Sequence, residues 1–146
     1  MENNYTNVLV AVDGSEEAKL ALNKAFTIAK KENAHLFIAH VIDTRTFATV
    51  EQYDRTVVTR AENYAKELLE EYKAEAEKAG VTNITTVLDF GSPKVRIPKD
   101  IAKKHEIDLI ITGATGLNAV ERILIGSVSE SITRNSKCDV LIVRNQ

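Results

Sequence analysis

The chain of 146 residues is poor in the features that mark secreted, membrane-spanning and metal-clustered proteins. Its single cysteine, Cys138, excludes an internal disulfide and a zinc site built on cysteines. The longest apolar runs, VLVAV and LII, are far too short for a transmembrane helix. The first residues, MENNYT, lack the basic and apolar segments of a secretory signal. We therefore expect a soluble, cytoplasmic protein with no membrane partner.

Charge of one sign is also not in excess. The chain has 19 Lys and Arg against 21 Asp and Glu, a formal net charge of −2, and its basic residues are dispersed. This distribution argues against nucleic acid as a partner. The length and a hydrophobic content of 44% are typical of one globular domain, which we expect to span residues 1–146.

Catalytic and metal-binding patterns are missing as well. The three histidines, His35, His40 and His105, have spacings that match no metal site. No Ser/His/Asp order with a nucleophile elbow is present. We expect these imidazoles to be packed or solvated, and we identify no catalytic residues.

What the sequence does contain is a regular alternation of short apolar runs and longer segments of helical period. The predicted strands are 7–12, 35–42, 83–90, 108–112 and 138–143, and the predicted helices are 15–33, 61–79, 95–107 and 127–136. Strands that alternate with helices imply parallel pairing through right-handed crossovers. The fold class is therefore a single-domain α/β sandwich with helices on both faces of a parallel sheet.

Two places depart from this pattern. Segment 43–55 lacks strong periodicity and is long for a connection, which fits either a lid or a partly helical surface excursion. Pro98 falls where helix 3 should already have begun. Because an interior proline loses one backbone hydrogen bond, helix 3 should either begin at Pro98 or be kinked there.

A candidate ligand site lies where strands 1 and 4 end. Ligands of open parallel sheets bind beyond the carboxyl ends of the strands. Strand 1 runs into Asp13-Gly14-Ser15, strand 4 runs into Gly113-Ala114-Thr115-Gly116, and Gly126-Ser127 opens helix 4. Free N–H groups and the positive dipole end of a helix favour phosphate. We expect phosphates at helix 4 and a ribose hydroxyl or a metal ion at Asp13.

Purely structural roles would explain the same residues. Ser127 with Glu130 three residues later is the pattern of a capping box. An aspartate just before a helix, such as Asp13, is often a cap or turn residue. No P-loop pattern is present, since no lysine follows the last glycine.

The whole chain resembles the universal stress protein family. The resemblance is carried by VLVAVDGSEEAKLAL, AHVI, GSP and DLIITGATGLNAVERILIGSVSESITRNSKCDVLIVR. In that family G-x2-G-x9-G-[ST] marks the ATP-binding branch, and this chain has the complete pattern in Gly113, Gly116, Gly126 and Ser127.

The resemblance implies a five-stranded sheet in the order 3-2-1-4-5 and a homodimer formed through the last strand. It also implies ATP with Mg²⁺, with Asp13 near the ribose or the Mg²⁺–phosphate group. The backbone of Val41 would meet the adenine edge, with Val12 and Ala39 in the apolar floor. The phosphates would contact the backbone of five residues and the hydroxyls of two serines: Gly113, Gly116, Gly126, Ser127 and Val128, with Ser127 and Ser129.

These features favour a nucleotide-dependent binding module that acts in stress response, with ATP or a related adenine nucleotide as the ligand. Two alternatives stay open at this point. The chain could be a slow ATPase or an adenylyl-transferring enzyme on the same fold, or a nucleotide-free dimeric interaction protein in which the glycine loop is structural.

Overall fold

Five parallel strands form one sheet in the computed structural model, which describes residues 5–44, 55–114 and 126–144. The strand order is β3-β2-β1-β4-β5, which confirms the order implied by the resemblance. The strands are β1 (Asn7–Ala11), β2 (His35–Asp43), β3 (Ile84–Gly91), β4 (Leu109–Gly113) and β5 (Asp139–Val143). Strand β1 is therefore the middle strand, with β2 and β4 on either side.

Four helices cover the two faces of the sheet in the described ranges. They are α1 (Glu16–Glu32), α2 (Arg55–Lys78), α3 (93–104) and α4 (Ser127–Asn135). None of these helices is long and apolar enough to cross a membrane. Most of segment 43–55, expected to be a lid or a surface excursion, lies outside the described residues.

The apolar runs of the central strands supply two cores at once, because successive side chains of a strand point to opposite faces. One core cluster joins alternate residues of β1 and β2, such as Val8, Leu36 and Ile38, to α1 and α2. The other joins the intervening residues, such as Leu9 and Phe37, to α3 and α4. This alternation determines on which face each side chain of the candidate site lies.

Of the two alternatives for helix α3, a start at Pro98 was wrong, and the helix is instead distorted around this residue. The helix begins at Pro93, and a π-helical stretch over Arg96–Ile101 contains Pro98 in its buried face. The ring of Pro98 has no N–H to donate and would clash with the carbonyl of Lys94 in a regular α-helix. The helix widens instead, and the N–H of Ala102 donates to the carbonyl of Ile97, five residues back.

The carbonyl that Pro98 leaves without its helical donor has a partner in another helix. The hydroxyl of Ser131, in α4, donates to the Lys94 carbonyl over 2.9 Å. A partly buried carbonyl without a donor costs free energy, so this bond compensates the proline and links α3 to α4.

We expect Ser131→Ala to lower the free energy of unfolding by about 1 kcal/mol, because the Lys94 carbonyl loses its donor. In a Pro98→Ala background the loss should be smaller, since residue 98 then has an N–H that the same carbonyl can accept. Urea denaturation of the four proteins of this double-mutant cycle measures the coupling.

The matched control is Ser136→Ala at the end of the same helix, where the buried hydroxyl has no partner among the described residues. It should change stability little. Equal losses from Ser131→Ala in both backgrounds would contradict the link to Pro98.

Candidate functional site

The carboxyl ends of β2, β1 and β4 lie side by side along one edge of the sheet. Because these strands are parallel and adjacent, Val41, Asp13 and Gly113 are brought to the same edge. This is the edge at which open α/β sheets bind ligands.

Asp13 begins the turn between β1 and α1. Its Oδ1 accepts a hydrogen bond from the N–H of Ser15 over 3.0 Å. Ser15 in turn caps α1, with its hydroxyl oxygen accepting from the N–H of Ala18 over 3.1 Å. The turn role expected for Asp13 is thus confirmed. Its other oxygen, Oδ2, makes no hydrogen bond to a described residue and is available to a ligand.

Gly14 gives this turn its shape. Its φ of +87° lies in the left-handed region, where any side chain is strained. A Cβ there would also stand 3.0 Å from the hydroxyl oxygen of Tyr64 in α2. Glycine at position 14 therefore lets the chain leave β1 in this direction without strain.

The ladder of backbone hydrogen bonds between β1 and β2 stops one bond before the carboxyl edge of the sheet. Its last bond runs from the N–H of Val12 to the carbonyl of Ala39 over 2.9 Å. The next step of a parallel ladder would have the N–H of Val41 donate to the carbonyl of Val12. That bond is absent, and the Val12 carbonyl accepts instead from Nδ1 of His40 over 2.8 Å.

Val41 is left with an unpaired polar edge toward β1. Its backbone N–H and carbonyl make no hydrogen bond to any residue of the described ranges, although only 7% of the residue is exposed. More than nine in ten buried backbone groups in proteins have a partner. The donor and acceptor of Val41 therefore face a position that a ligand edge can satisfy.

Val12 and Ala39 do not share a face of the sheet. The side chain of Val12 packs in the cluster beneath α1 and α2, and that of Ala39 packs in the cluster beneath α3 and α4. The two residues are linked by the backbone hydrogen bond from the N–H of Val12 to the carbonyl of Ala39, and Ala39 is fully buried. A single apolar floor built from both side chains is not what this arrangement provides.

The start of α4 differs from the expected capping box, which was wrong. Gly126 is the N-cap, and Ser127 is the first residue inside the helix. Glu130 does not complete a box: its N–H donates to the carbonyl of Gly126 over 2.9 Å, and its carboxylate pairs with Arg134 over 2.9 Å. The N–H of Gly126 donates instead to the carbonyl of Ala114 over 2.7 Å.

Two serines near this helix start have different surroundings. The hydroxyl of Ser129 is buried and donates to the carbonyl of Gly113 over 2.5 Å, which attaches α4 to the end of β4. Ser127 is exposed, and its hydroxyl makes no hydrogen bond to a described residue. Between them, Val128 packs against the core beneath α3 and α4. Contacts of these residues with phosphate stay a prediction.

Gly113 has a packing role that the sequence did not indicate. A Cβ at this position would stand 2.8 Å from the carbonyl oxygen of Glu17 and 2.9 Å from its carbonyl carbon. These atoms belong to the backbone of α1, which cannot move aside cheaply. Glycine at position 113 thus allows the first turn of α1 to lie directly against β4. Gly116 lies outside the described residues.

Acidic groups surround the Tyr72 hydroxyl near this edge. Burial, with the neighbouring Tyr64 and Asp13 adding to it, raises the pKa of Tyr72 to about 12. Within the described ranges no three His, Cys, Asp or Glu side chains are grouped as metal ligands. A cation at this edge would depend on Asp13 and on oxygens of the ligand itself.

His40 is the site residue that sequence reasoning missed. From the sequence it is expected, like His35 and His105, to be a packed or solvated imidazole, because the spacings of the three match no metal site. A polar residue inside an otherwise apolar strand, just before the expected adenine contact at Val41, was the available signal. Only the register of β1 against β2 shows that it meets Val12.

Comparison with known proteins gives one consistent result. A model of the universal stress protein family matches residues 4–144. A relative from Staphylococcus haemolyticus, named as a universal stress protein, is 50% identical over 142 residues, which cover 97% of this chain and 86% of the relative.

Solved structures of universal stress proteins also match this chain. Universal stress protein UspA from Lactobacillus plantarum is 32% identical, with a TM-score of 0.84 over 96% of this chain and 98% of its own. A universal stress protein solved in complex with cAMP is also 32% identical, with a TM-score of 0.72 over 96% of this chain and 97% of its own.

We expect Gly113→Ala to destabilise the ligand-free protein by about 1–3 kcal/mol, because the added methyl overpacks the contact with the backbone of Glu17. Urea denaturation without nucleotide measures the loss. Ser136→Ala, which removes an unpartnered hydroxyl remote from this contact, is the control. A Gly113→Ala protein as stable as the unsubstituted one would show that α1 does not depend on this close approach.

Proposed function

The chain belongs to the universal stress protein family, and from that premise we propose that it binds ATP as a nucleotide-dependent regulatory module in stress response. The nucleotide would lie at the carboxyl edge of β2, β1 and β4. Two facts outside the geometry support an adenine nucleotide. The pattern G-x2-G-x9-G-[ST] is complete in this chain, and a relative 32% identical was solved with cAMP.

The unpaired backbone edge of Val41 carries the proposal. In an extended strand the N–H and carbonyl of one residue point to the same side, so Val41 presents a donor and an acceptor together toward β1. Adenine carries an amino donor beside a ring-nitrogen acceptor, which complements this pair. Binding of the base would satisfy both groups and remove the cost of leaving them buried and unpaired.

The triphosphate would extend toward the start of α4. The first N–H groups of the helix, at Ser127 and Val128, have no intrahelical partner, and the dipole places positive charge there. Gly126 has φ −64° and ψ 161°, values that any residue can adopt, so its backbone does not require glycine. A close approach of phosphate oxygens explains a glycine at this position.

Asp13 suits a Mg²⁺ ion held jointly with the phosphates. Mg²⁺ is commonly bound by one or two carboxylates together with substrate phosphates and water. Oδ1 of Asp13 is engaged by the N–H of Ser15, and Oδ2 is available to the ion or to a ribose hydroxyl. When bound, the ion would neutralise phosphate charge next to α4.

We expect Gly126→Val to weaken ATP binding by at least about 100-fold, because its two methyl groups occupy the space of the phosphate oxygens and several charge-assisted hydrogen bonds are lost. The free energy of unfolding should fall by about 1 kcal/mol or less, since the backbone angles suit valine. Isothermal titration and circular dichroism on the same sample measure the two effects.

The control is Thr133→Val, a nearly isosteric change in the last turns of the same helix, which should leave ATP affinity unchanged. ATP affinity that survives in a folded Gly126→Val protein would contradict a phosphate site at α4. The absence of ATP binding by the unsubstituted protein would overturn the proposed function itself.

We also propose that the protein is a homodimer paired through β5. This strand forms one edge of the sheet, and in the described part of the chain no strand pairs with its outer side. Edge strands with free N–H and carbonyl groups readily pair with a second copy. Val140, Leu141 and Val143 pack against the two core clusters. The remaining apolar residue, half-buried Ile142, belongs to neither cluster.

Ile142→Lys should therefore convert the dimer to a monomer at tens of micromolar protein, because it places a charge in the interface. Sedimentation velocity measures the mass against the 16.2 kDa of one chain. Val95→Lys, at an exposed apolar residue of α3, is the control and should leave the dimer intact. An unsubstituted protein that sediments as a monomer would refute pairing through β5.

A further inference from the structure

We propose that His40 is a positioning residue that gives the nucleotide site its preference for adenine. It does so by holding the carbonyl of Val12 away from Val41. This inference rests on the proposed binding of ATP, and it concerns the base that the site selects.

The Val12 carbonyl points toward the side chain of His40. His40 lies on the face of β2 that packs beneath α1 and α2, together with Leu36 and Ile38. Side chains stand roughly perpendicular to a sheet, whereas ladder carbonyls lie in its plane. A carbonyl that accepts from Nδ1 of His40 at 2.8 Å is therefore turned out of the plane, toward α2.

The bond between His40 and Val12 has only one possible donor. A carbonyl oxygen can only accept, so Nδ1 of His40 must carry the proton and donate. The Val12 carbonyl is then satisfied without Val41. A buried carbonyl that lost this donor would need another, and the N–H of Val41 is the group that a continuing ladder would supply.

His35 shows that a histidine in β2 does not by itself interrupt the ladder. Its Nε2 lies 2.6 Å from the hydroxyl of Thr85, a side chain of β3. The backbone N–H of His35 still donates to the carbonyl of Thr6 over 2.9 Å, as the ladder requires. The interruption at Val41 follows from the bond to a backbone carbonyl.

The consequence is a specificity that depends on His40 without any contact between His40 and the base. With the ladder open, Val41 offers a donor and an acceptor that fit adenine. Hypoxanthine has a carbonyl in place of the amino group and an N–H in place of the acceptor nitrogen. Like groups would then face each other at Val41, which leaves buried polar groups unsatisfied.

The test compares the affinities of ATP and ITP, which differ only in these base atoms. For the unsubstituted protein we expect a preference for ATP of about 30-fold or more. His40→Leu removes the donor, so the ladder should close onto Val41 and the preference should fall to about threefold or less. His40→Asn places an amide donor near the position of Nδ1 and should restore most of the preference. His35→Leu, in the same strand, is the control and should keep the full ratio.

A second measurement needs no nucleotide. Hydrogen exchange of the Val41 amide, followed by NMR, should be fast in the unsubstituted protein and at least tenfold slower in His40→Leu, because that amide gains a ladder bond. The slowing should be absent in His40→Asn.

The outcomes separate the two proposals. No ATP binding by the unsubstituted protein would overturn the proposed function. ATP binding with an ATP-to-ITP ratio that His40→Leu leaves unchanged, or an unchanged exchange rate of the Val41 amide, would overturn the role of His40.

Discussion

The hydrogen bond from Nδ1 of His40 to the Val12 carbonyl is the constraint on which the candidate site depends. It ends the pairing of the two central strands one step before the edge of the sheet. On one side of this break the chain turns through Asp13 and Gly14 into α1, and on the other side Val41 keeps a free donor and acceptor. An open edge that a ligand can complete thus arises where the two central strands end.

The glycines of the family pattern meet different physical needs. Gly113 lets the backbone of α1 pack against β4, because a Cβ at this position would collide with the backbone of Glu17. Gly126 has backbone angles open to any residue, so its lack of a side chain matters only for what approaches the start of α4. One sequence pattern therefore combines a packing contact with a proposed ligand contact. A substitution at the packing contact lowers stability without nucleotide, whereas one at the ligand contact lowers nucleotide affinity.

The position of α4 is determined by bonds from distant parts of the chain. Ser129 attaches it to the end of β4, and Ser131 attaches it to the carbonyl that Pro98 leaves without a helical donor in α3. The π-helical stretch is thus compensated by the helix that would carry the phosphates. Because of this bond, a substitution in α3 could shift the start of α4, although no residue of α3 is expected to contact the nucleotide.

The sequence by itself determined the alternation of strands and helices, because buried parallel strands need continuous apolar runs such as residues 7–12 and covering helices need one apolar face. The resemblance carried by its motifs also led to the strand order. Only the tertiary structure decided that Ser127 is not the N-cap, that helix α3 widens around Pro98, and that His40 meets Val12. The hydrogen bonds behind the last two findings join residues far apart in the chain: Ser131 and Lys94 are 37 positions apart, and His40 and Val12 are 28 positions apart. Local periodicity carries no information on such pairs, since they exist only once the register of the strands and the packing of the helices are in place.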